Sequence, residues 1–519
     1  MKRKIFCLLL VMTLLLSSFT FAFADNNYTV KSGDVLWKIA DQYDITWQEL
    51  AEYNNLSNPN LIFTNQKLLI PSQSTGADPI AKLEKELAAN ILNDPVSPIS
   101  GLSVLAMKDG KIIYEGQMGY KYIDNENPQN NIAVDENTRF RIASISKVFT
   151  AIGFMKLVED GKADLDTDIS KYLGFKLRNP NYPDVEITAR MLLSHTSSLR
   201  DGSVYSIGPE YSIKEFFDEG GIYYNKGEHF AAAPSAEDMR NQSPGTFFHY
   251  SNLNFGVLGT IIEKLSGQRY DVYMKENVLE PLGIAASYNV GDFDEEQIQS
   301  VSTLYKKCDN NDVWDTDGPW IAKIDDYKGI VQDPDSMLIT NPDLVGTNKL
   351  VSLKNYVVGS NATLFSPQGG LRITAKELSS LMELFMNDGV VNGKQILKPE
   401  TVELMFTPQW TYAEDEKELN NGDTYSGLME CYGLSIQIMG HGKLDRLVAD
   451  RDIAWAGHFG EAYGLLSGIF MDKESGNGLI YIMNGMGNAE SENYGKYSGM
   501  YLWEEKFCTS ILNNLFPEE

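Results

Sequence analysis

At 519 residues the chain has length for two to four domains and a large buried core. Its composition is that of a globular protein, 43% hydrophobic and 22% charged. Seventy-one acidic residues against 44 basic ones give a formal net charge of −27, which repels phosphate backbones and argues against nucleic acid as a partner.

The first elements in chain order read as an export signal. Lys2-Arg3-Lys4 is a positive leader, Ile5 to Leu16 is apolar, and Ala22-Phe23-Ala24 offers small residues for cleavage before Asp25. Residues 1–24 are therefore expected to be a signal peptide. The apolar run falls short of the roughly 20 residues that span a bilayer, so the mature chain is expected to carry no transmembrane segment. Cys7 leaves with the signal. Cys308, Cys431 and Cys508 are far apart and odd in number, which implies no disulfide framework.

Residues 27–71 read as a separate small unit. Tyr28-Thr29-Val30 alternates like a strand, and Ser32-Gly33-Asp34 is a turn. Leu36, Ile39 and Ala40, then Trp47, Leu50 and Ala51, carry helical spacing, and Leu68-Leu69-Ile70 closes as a strand before Pro71. This strand–helix–helix–strand pattern resembles the LysM module. Tyr28 to Asp34, Leu36 to Ala40, Asn54 and Gln66 to Pro71 carry the resemblance. Thr64-Asn65 stands where that family usually has Pro-Gly, and Asn is the next-best residue for a positive φ. The resemblance implies peptidoglycan or another N-acetylglucosamine glycan as partner. It places the groove between Gly33-Asp34-Val35 and Asn60-Leu61-Ile62.

Residues 72–78 are a Ser/Thr/Gly linker by composition. Residues 79–519 form the remaining domain. Asp78-Pro79 opens a helix, and Gly101 to Gly119 reads as a hairpin turning at Asp109-Gly110. Helical stretches are expected at 144–159, 251–265 (closed by Gly267) and 374–387. Strands are expected at 464–471 and 478–484, and a last helix near 497–515. The order implies an α+β fold: an antiparallel sheet flanked by helices, plus a helical region.

The most informative stretch is Phe140 to Thr150, which holds the chain's only Ser-x-x-Lys, Ser144 to Lys147. Positions i and i+3 share a helix face, so Lys147 Nζ can reach Ser144 Oγ, a weak nucleophile that needs such help. Tyr250-Ser251-Asn252 heads an apolar helix, and Gly457-His458-Phe459-Gly460-Glu461 contains the only His-x-Gly. Lesser signals are Met191 to Ser197 and Ser366 to Leu371. Together, in this order, these segments resemble the penicillin-recognising serine enzymes, the β-lactamases and penicillin-binding proteins.

The resemblance implies roles. Ser144 attacks a carbonyl carbon. Lys147 and Tyr250 share general-base work, with a nearby ammonium favouring the Tyr250 phenolate. Asn252 holds Lys147 or the substrate amide. The backbone amides of Ser144 and Glu461 form an oxyanion hole, and His458 lines the opposite wall. His195 and His249 are expected to satisfy core or turn hydrogen bonds, and His229 and His441 to be ordinary loop residues. No His/Cys/Asp grouping has metal-ligand spacing, so no metal and no cofactor are expected.

His458-Phe459-Gly460 stands where carboxylate-binding members often carry Lys-Thr-Gly, so carboxylate anchoring should be weak. Glu461 hints at tolerance for an amine. The expected activity is hydrolysis of cell-wall D-alanyl amides or esters through an acyl-enzyme. The alternatives are a broad esterase, a weak β-lactamase, or a penicillin-binding sensor with little turnover. Residues 201–239 and 308–350 read as insertions around the cleft.

Overall fold

The computed structural model describes residues 26–517, apart from residues 44, 55, 57, 60, 71–78, 310–312, 341–347, 418 and 488–493. The chain divides into two compact units, residues 1–77 and 78–519. The expected signal peptide and linker lie outside the described residues.

In the small unit, β1 (Asn26–Thr29) pairs antiparallel with β2 (Lys67–Ile70), Tyr28 opposite Leu68. Between them come α1 (Leu36–Asp41) and α2 (Trp47–Tyr53). The period-2 pattern of β2 turns Leu68 and Ile70 inward, onto Val30, Ile39 and Leu50. Asn54 ties α2 to β2: its amide donates to Leu69 O at 2.8 Å and its Oδ1 accepts from Leu69 N at 2.7 Å. Asn65 takes φ 70°, the conformation that the missing glycine would supply.

The larger unit opens with α3 (Pro79–Leu87), then β3 (Gly101–Lys108) and β4 (Lys111–Tyr122) as the expected hairpin. Asp109 and Gly110 both take positive φ, 50° and 71°, as a tight two-residue turn requires. Further along come β5 (Ile132–Ala133), α4 (Ser146–Glu159), α5 (Leu253–Ser266) and α6 (Ala375–Met386). They are followed by β6 (Trp410–Thr411), β7 (Cys431–Tyr432), β8 (Gln437–Ile438), β9 (Ala456–Ala462), β10 (Leu465–Asp472), β11 (Asn477–Asn484) and α7 (Leu502–Leu515). Among the described residues these strands form one nine-stranded antiparallel sheet in the order β6-β7-β8-β9-β10-β11-β3-β4-β5.

Early and late strands of this unit thus meet at β11–β3, where Ile480 lies opposite Leu105. The central strands bury nearly every residue because helices cover both faces. On one face Tyr481 packs on Phe507 of α7, ring centroids 4.9 Å apart. On the other, α6 lies so close that a Cβ at Gly478 would fall 2.0 Å from Met382 Cε. Thr374 and Glu377 close a capping box at the start of α6, and Gly267 ends α5 at φ 73°. Cys308, Cys431 and Cys508 are buried and not disulfide-bonded.

Candidate active site

Ser144 lies one step outside its expected place. It sits on a 3₁₀ turn, Ala143–Ile145, and α4 begins only at Ser146. The cause is Ala143, held at φ 49°, a left-handed conformation costly for a residue with a Cβ. The surroundings enforce it. Ile142 N donates to Leu371 O at 3.0 Å, Ser467 Oγ donates to Ile142 O at 2.9 Å, and Leu371 N donates to Ser146 Oγ at 3.1 Å. The segment Ser366 to Leu371 therefore braces the nucleophile turn.

Lys147 is fully buried beneath Ser144. Its Nζ reaches three acceptors: Ser144 Oγ at 2.9 Å, Asn252 Oδ1 at 2.8 Å and Gln368 O at 3.0 Å. Burial pushes its pKa down to about 7, against a smaller opposing pull from the Asp201 carboxylate. In its neutral form the amine keeps two hydrogens for Asn252 and Gln368 and turns its lone pair to the Ser144 hydroxyl.

Tyr250 precedes α5 and lines the same cavity as Ser144. Burial raises its pKa well above the usual phenol range. That direction runs against the Tyr250 phenolate expected beside an ammonium. Burial shifts both groups toward their uncharged forms. The Tyr250 ring stacks on His195 at 4.2 Å. His195 Nδ1 accepts from Ser251 N at 3.1 Å, fixing the turn that carries Tyr250 and Asn252.

The register of β8 with β9 ends at Gly457, and β9 continues against the nucleophile turn. A Cβ at Gly460 would lie 2.6 Å from Ile142 O and 3.2 Å from Ser144 N, so only glycine permits this approach. Ser144, Tyr250, Asn252, Phe459, Gly460 and Glu461 all line one cavity of about 470 Å³.

His458 does not line it. Its ring is 1% exposed, Nε2 lies 2.8 Å from Tyr432 Oη, and Nδ1 contacts Phe459 O. Because a carbonyl only accepts, Nδ1 carries the hydrogen and Nε2 accepts from Tyr432. Burial lowers the His458 pKa to about 3. His458, expected to line the opposite wall, is instead held inside the fold by Tyr432. On a strand, residues 458 and 459 point to opposite faces. Phe459 is the one on the cavity side, packed on Phe470 at 4.5 Å.

Sequence reasoning missed Asp201. Its carboxylate accepts from Ser251 Oγ at 3.0 Å, Asn252 Nδ2 at 2.8 Å and Leu253 N at 2.8 Å, capping α5 from a distant loop. A loop aspartate within a presumed insertion carries no local signal of this. His249 bonds Asp423 at 2.6 Å, as expected for a turn histidine. His229 lies in a turn, as expected of a loop residue. It is fully buried, with Nε2 2.8 Å from Val204 O. Among the described residues no group of His, Cys, Asp and Glu could hold a metal ion, and no helix is long and apolar enough to cross a membrane.

In the small unit, Gly33 takes φ 86° and Asp34 Oδ2 accepts from Tyr28 Oη at 2.8 Å, which holds the loop ahead of Val35. Leu61 is exposed and Ile62 packs partly on the core. Asn60 lies outside the described residues.

A family profile described as Beta-lactamase matches residues 87–499, and one described as LysM domain matches residues 28–71. Protein flp of Staphylococcus aureus (strain MRSA252) is 30% identical over 186 residues, 36% of this chain and 34% of that protein. Penicillin-binding protein 4* of Bacillus subtilis (strain 168) is 30% identical over 184 residues, 35% of this chain and 36% of that protein. The chain spans about a third of the length of the curated relatives it matches. D-amino acid amidase from Ochrobactrum anthropi SV3 aligns with a TM-score of 0.53 at 18% identity, over 84% of this chain and 97% of its own. That likeness is one of fold.

Proposed function

For a chain that belongs to the Beta-lactamase family and carries a LysM domain, we propose an exported serine hydrolase that cleaves D-alanyl amides or esters of the cell wall through an acyl-enzyme on Ser144. The observation that carries this reading is the pair of Ser144 and a buried Lys147, 2.9 Å apart, with the lysine pKa down at about 7. A base poised near working pH is what general-base activation of a hydroxyl needs.

In this mechanism neutral Lys147 takes the Ser144 proton as Oγ bonds to the substrate carbonyl carbon. The oxyanion is held by the amides of Ser144 and Glu461. The new ammonium keeps Asn252 Oδ1 and Gln368 O as acceptors. Tyr250 then donates its proton to the leaving nitrogen or oxygen and regains one from Lys147, and the C–N or C–O bond breaks. Water repeats the steps in reverse on the acyl-enzyme, returning the Ser144 hydroxyl and releasing the acid.

The LysM unit would hold the enzyme on glycan and raise its local substrate concentration. The preference over β-lactams rests on the His458-Phe459 strand, which brings neither a fixed positive charge nor a hydroxyl to the cavity. A broad esterase is the second reading, favoured by the apolar wall of Phe459, Leu428 and Met429. The test is a hydrolysis panel on the full mature chain: a D-Ala-D-Ala peptide, a D-alanyl ester, an acetyl ester and a cephalosporin. A D-alanyl substrate should lead. An acetyl ester in front favours the esterase, and a cephalosporin in front overturns the proposal.

A further inference from the structure

Of the acidic groups along the cavity, Glu461 occupies a distinctive position. It follows Gly460, the point where β9 touches the Ser144 amide, and its side chain is exposed at the end of the strand. Its carboxylate lines the same cavity as Ser144 and accepts a hydrogen bond from Tyr501 Oη at 2.9 Å. Tyr501 in turn stacks on Tyr494, ring centroids 5.3 Å apart and planes 16° apart. Among the described residues the one cationic side chain lining the cavity, Arg141, is committed elsewhere: Nε donates to Gly369 O at 3.0 Å and its guanidinium lies 5.2 Å over the Tyr463 ring.

Beside Glu461, Glu504 is 2% exposed and accepts from Tyr481 Oη at 2.6 Å. Burial raises its pKa to about 8, with Glu461 adding to the rise. Burial thus favours the uncharged form of Glu504 at neutral pH. A carboxylate fixed by a phenol, next to two aromatic rings, is a setting that attracts an ammonium group.

Resting on the hydrolase reading above, we propose that Glu461, held by Tyr501, binds the free α-ammonium of an aminoacyl substrate whose carbonyl is attacked by Ser144. The spacing suits an α-amine better than a distant one. In an amino acid the amine nitrogen lies about 2.5 Å from the carbonyl carbon. Glu461 itself supplies an oxyanion amide in this reading, so its side chain branches from the residue that holds the carbonyl oxygen. The substrate class is thus D-aminoacyl amides and esters with an unblocked N-terminus, and N-acylated peptides are disfavoured.

Three anilides test this on the full chain: D-alanine p-nitroanilide, its N-acetyl form, and N-acetyl-D-lysine p-nitroanilide, whose only ammonium is distal. The native protein should prefer the first over both others by about tenfold or more, the scale of one charge-assisted contact. Glu461→Gln keeps an oxygen for Tyr501 and should reduce that preference ratio about tenfold. Tyr501→Phe should reduce it less. Using a ratio cancels a general loss of activity in either variant. Equal rates on the first two anilides, or a ratio unchanged in Glu461→Gln, overturns the subsite while leaving acyl transfer standing. Preference for the lysine anilide overturns the α-amine assignment. No hydrolysis of any anilide or D-alanyl ester overturns the hydrolase reading and the subsite together.

Discussion

Asp201 Oδ2 accepts a hydrogen bond from Asn252 Nδ2 at 2.8 Å, and this contact decides which way the Asn252 amide faces. With its nitrogen held by Asp201, its oxygen turns to Lys147. Asp201→Asn would set an amide nitrogen against that nitrogen, so the Asn252 amide flips and points donors at Lys147. We predict a loss of about 10- to 100-fold in kcat/KM, the scale of misplaced catalytic groups. The acid limb of the pH profile should also move to lower pH, because the Asp201 charge raises the Lys147 pKa. An unchanged pH profile would reduce Asp201 to a helix cap.

The pH dependence follows from Lys147. Burial lowers its pKa from 10.5 to about 7, so below that pH it is protonated and cannot accept the Ser144 proton. We predict that kcat/KM rises with pH through about 7 and then stays level, since Tyr250 holds its proton far beyond that range. Lys147→Arg is charged at every working pH and should lose about 10²- to 10⁴-fold. An acid limb near pH 4 would point to a carboxylate base instead.

How much of this was legible in the sequence depended on how local each signal was. Ser144, Lys147, Tyr250 and Asn252 stood in short motifs at helix spacing. The Asp109-Gly110 turn, the Gly267 stop and the LysM pattern were equally local, and the late strands agreed within a residue or two. What was not legible required contacts across the fold. Asp201 acts on residues 50 to 52 positions away, and Gln368 O on a lysine 221 positions away. His458 was misread for a related reason: a strand residue faces either way, and only the folded sheet reveals that Tyr432, two strands away, claims its ring. The direction of the Tyr250 shift also needed burial, which motif spacing does not report.

The buried place of His458 changes what a swap there should do. Replacing His458-Phe459 with Lys-Thr would set an amine where the ring is 1% exposed, strand the Tyr432 hydroxyl, and remove the Phe459–Phe470 contact. We predict a stability loss of about 3 kcal/mol or more, with no gain in carboxylate-bearing substrates. Thermal melting together with cephalosporin turnover checks this. A stable variant with faster cephalosporin hydrolysis would contradict it.

The small unit has its own core around Ile39, Leu50 and Leu68. We predict that residues 25–75 alone are retained on insoluble peptidoglycan or chitin, and that removing them leaves hydrolysis of small soluble substrates within about twofold. Pull-down of both fragments measures it. Equal wall retention with and without the unit would make it a spacer.

The central claim is a covalent intermediate on Ser144, and intact-protein mass spectrometry after reaction with a serine-directed phosphonate tests it most directly. The account predicts one adduct, mapped by peptide analysis to Ser144 and absent in Ser144→Ala. Ser146→Ala should still label at Ser144, while losing about 1–3 kcal/mol of stability through the stranded Leu371 amide. An adduct that persists in Ser144→Ala, or one that maps to another residue, would contradict the account.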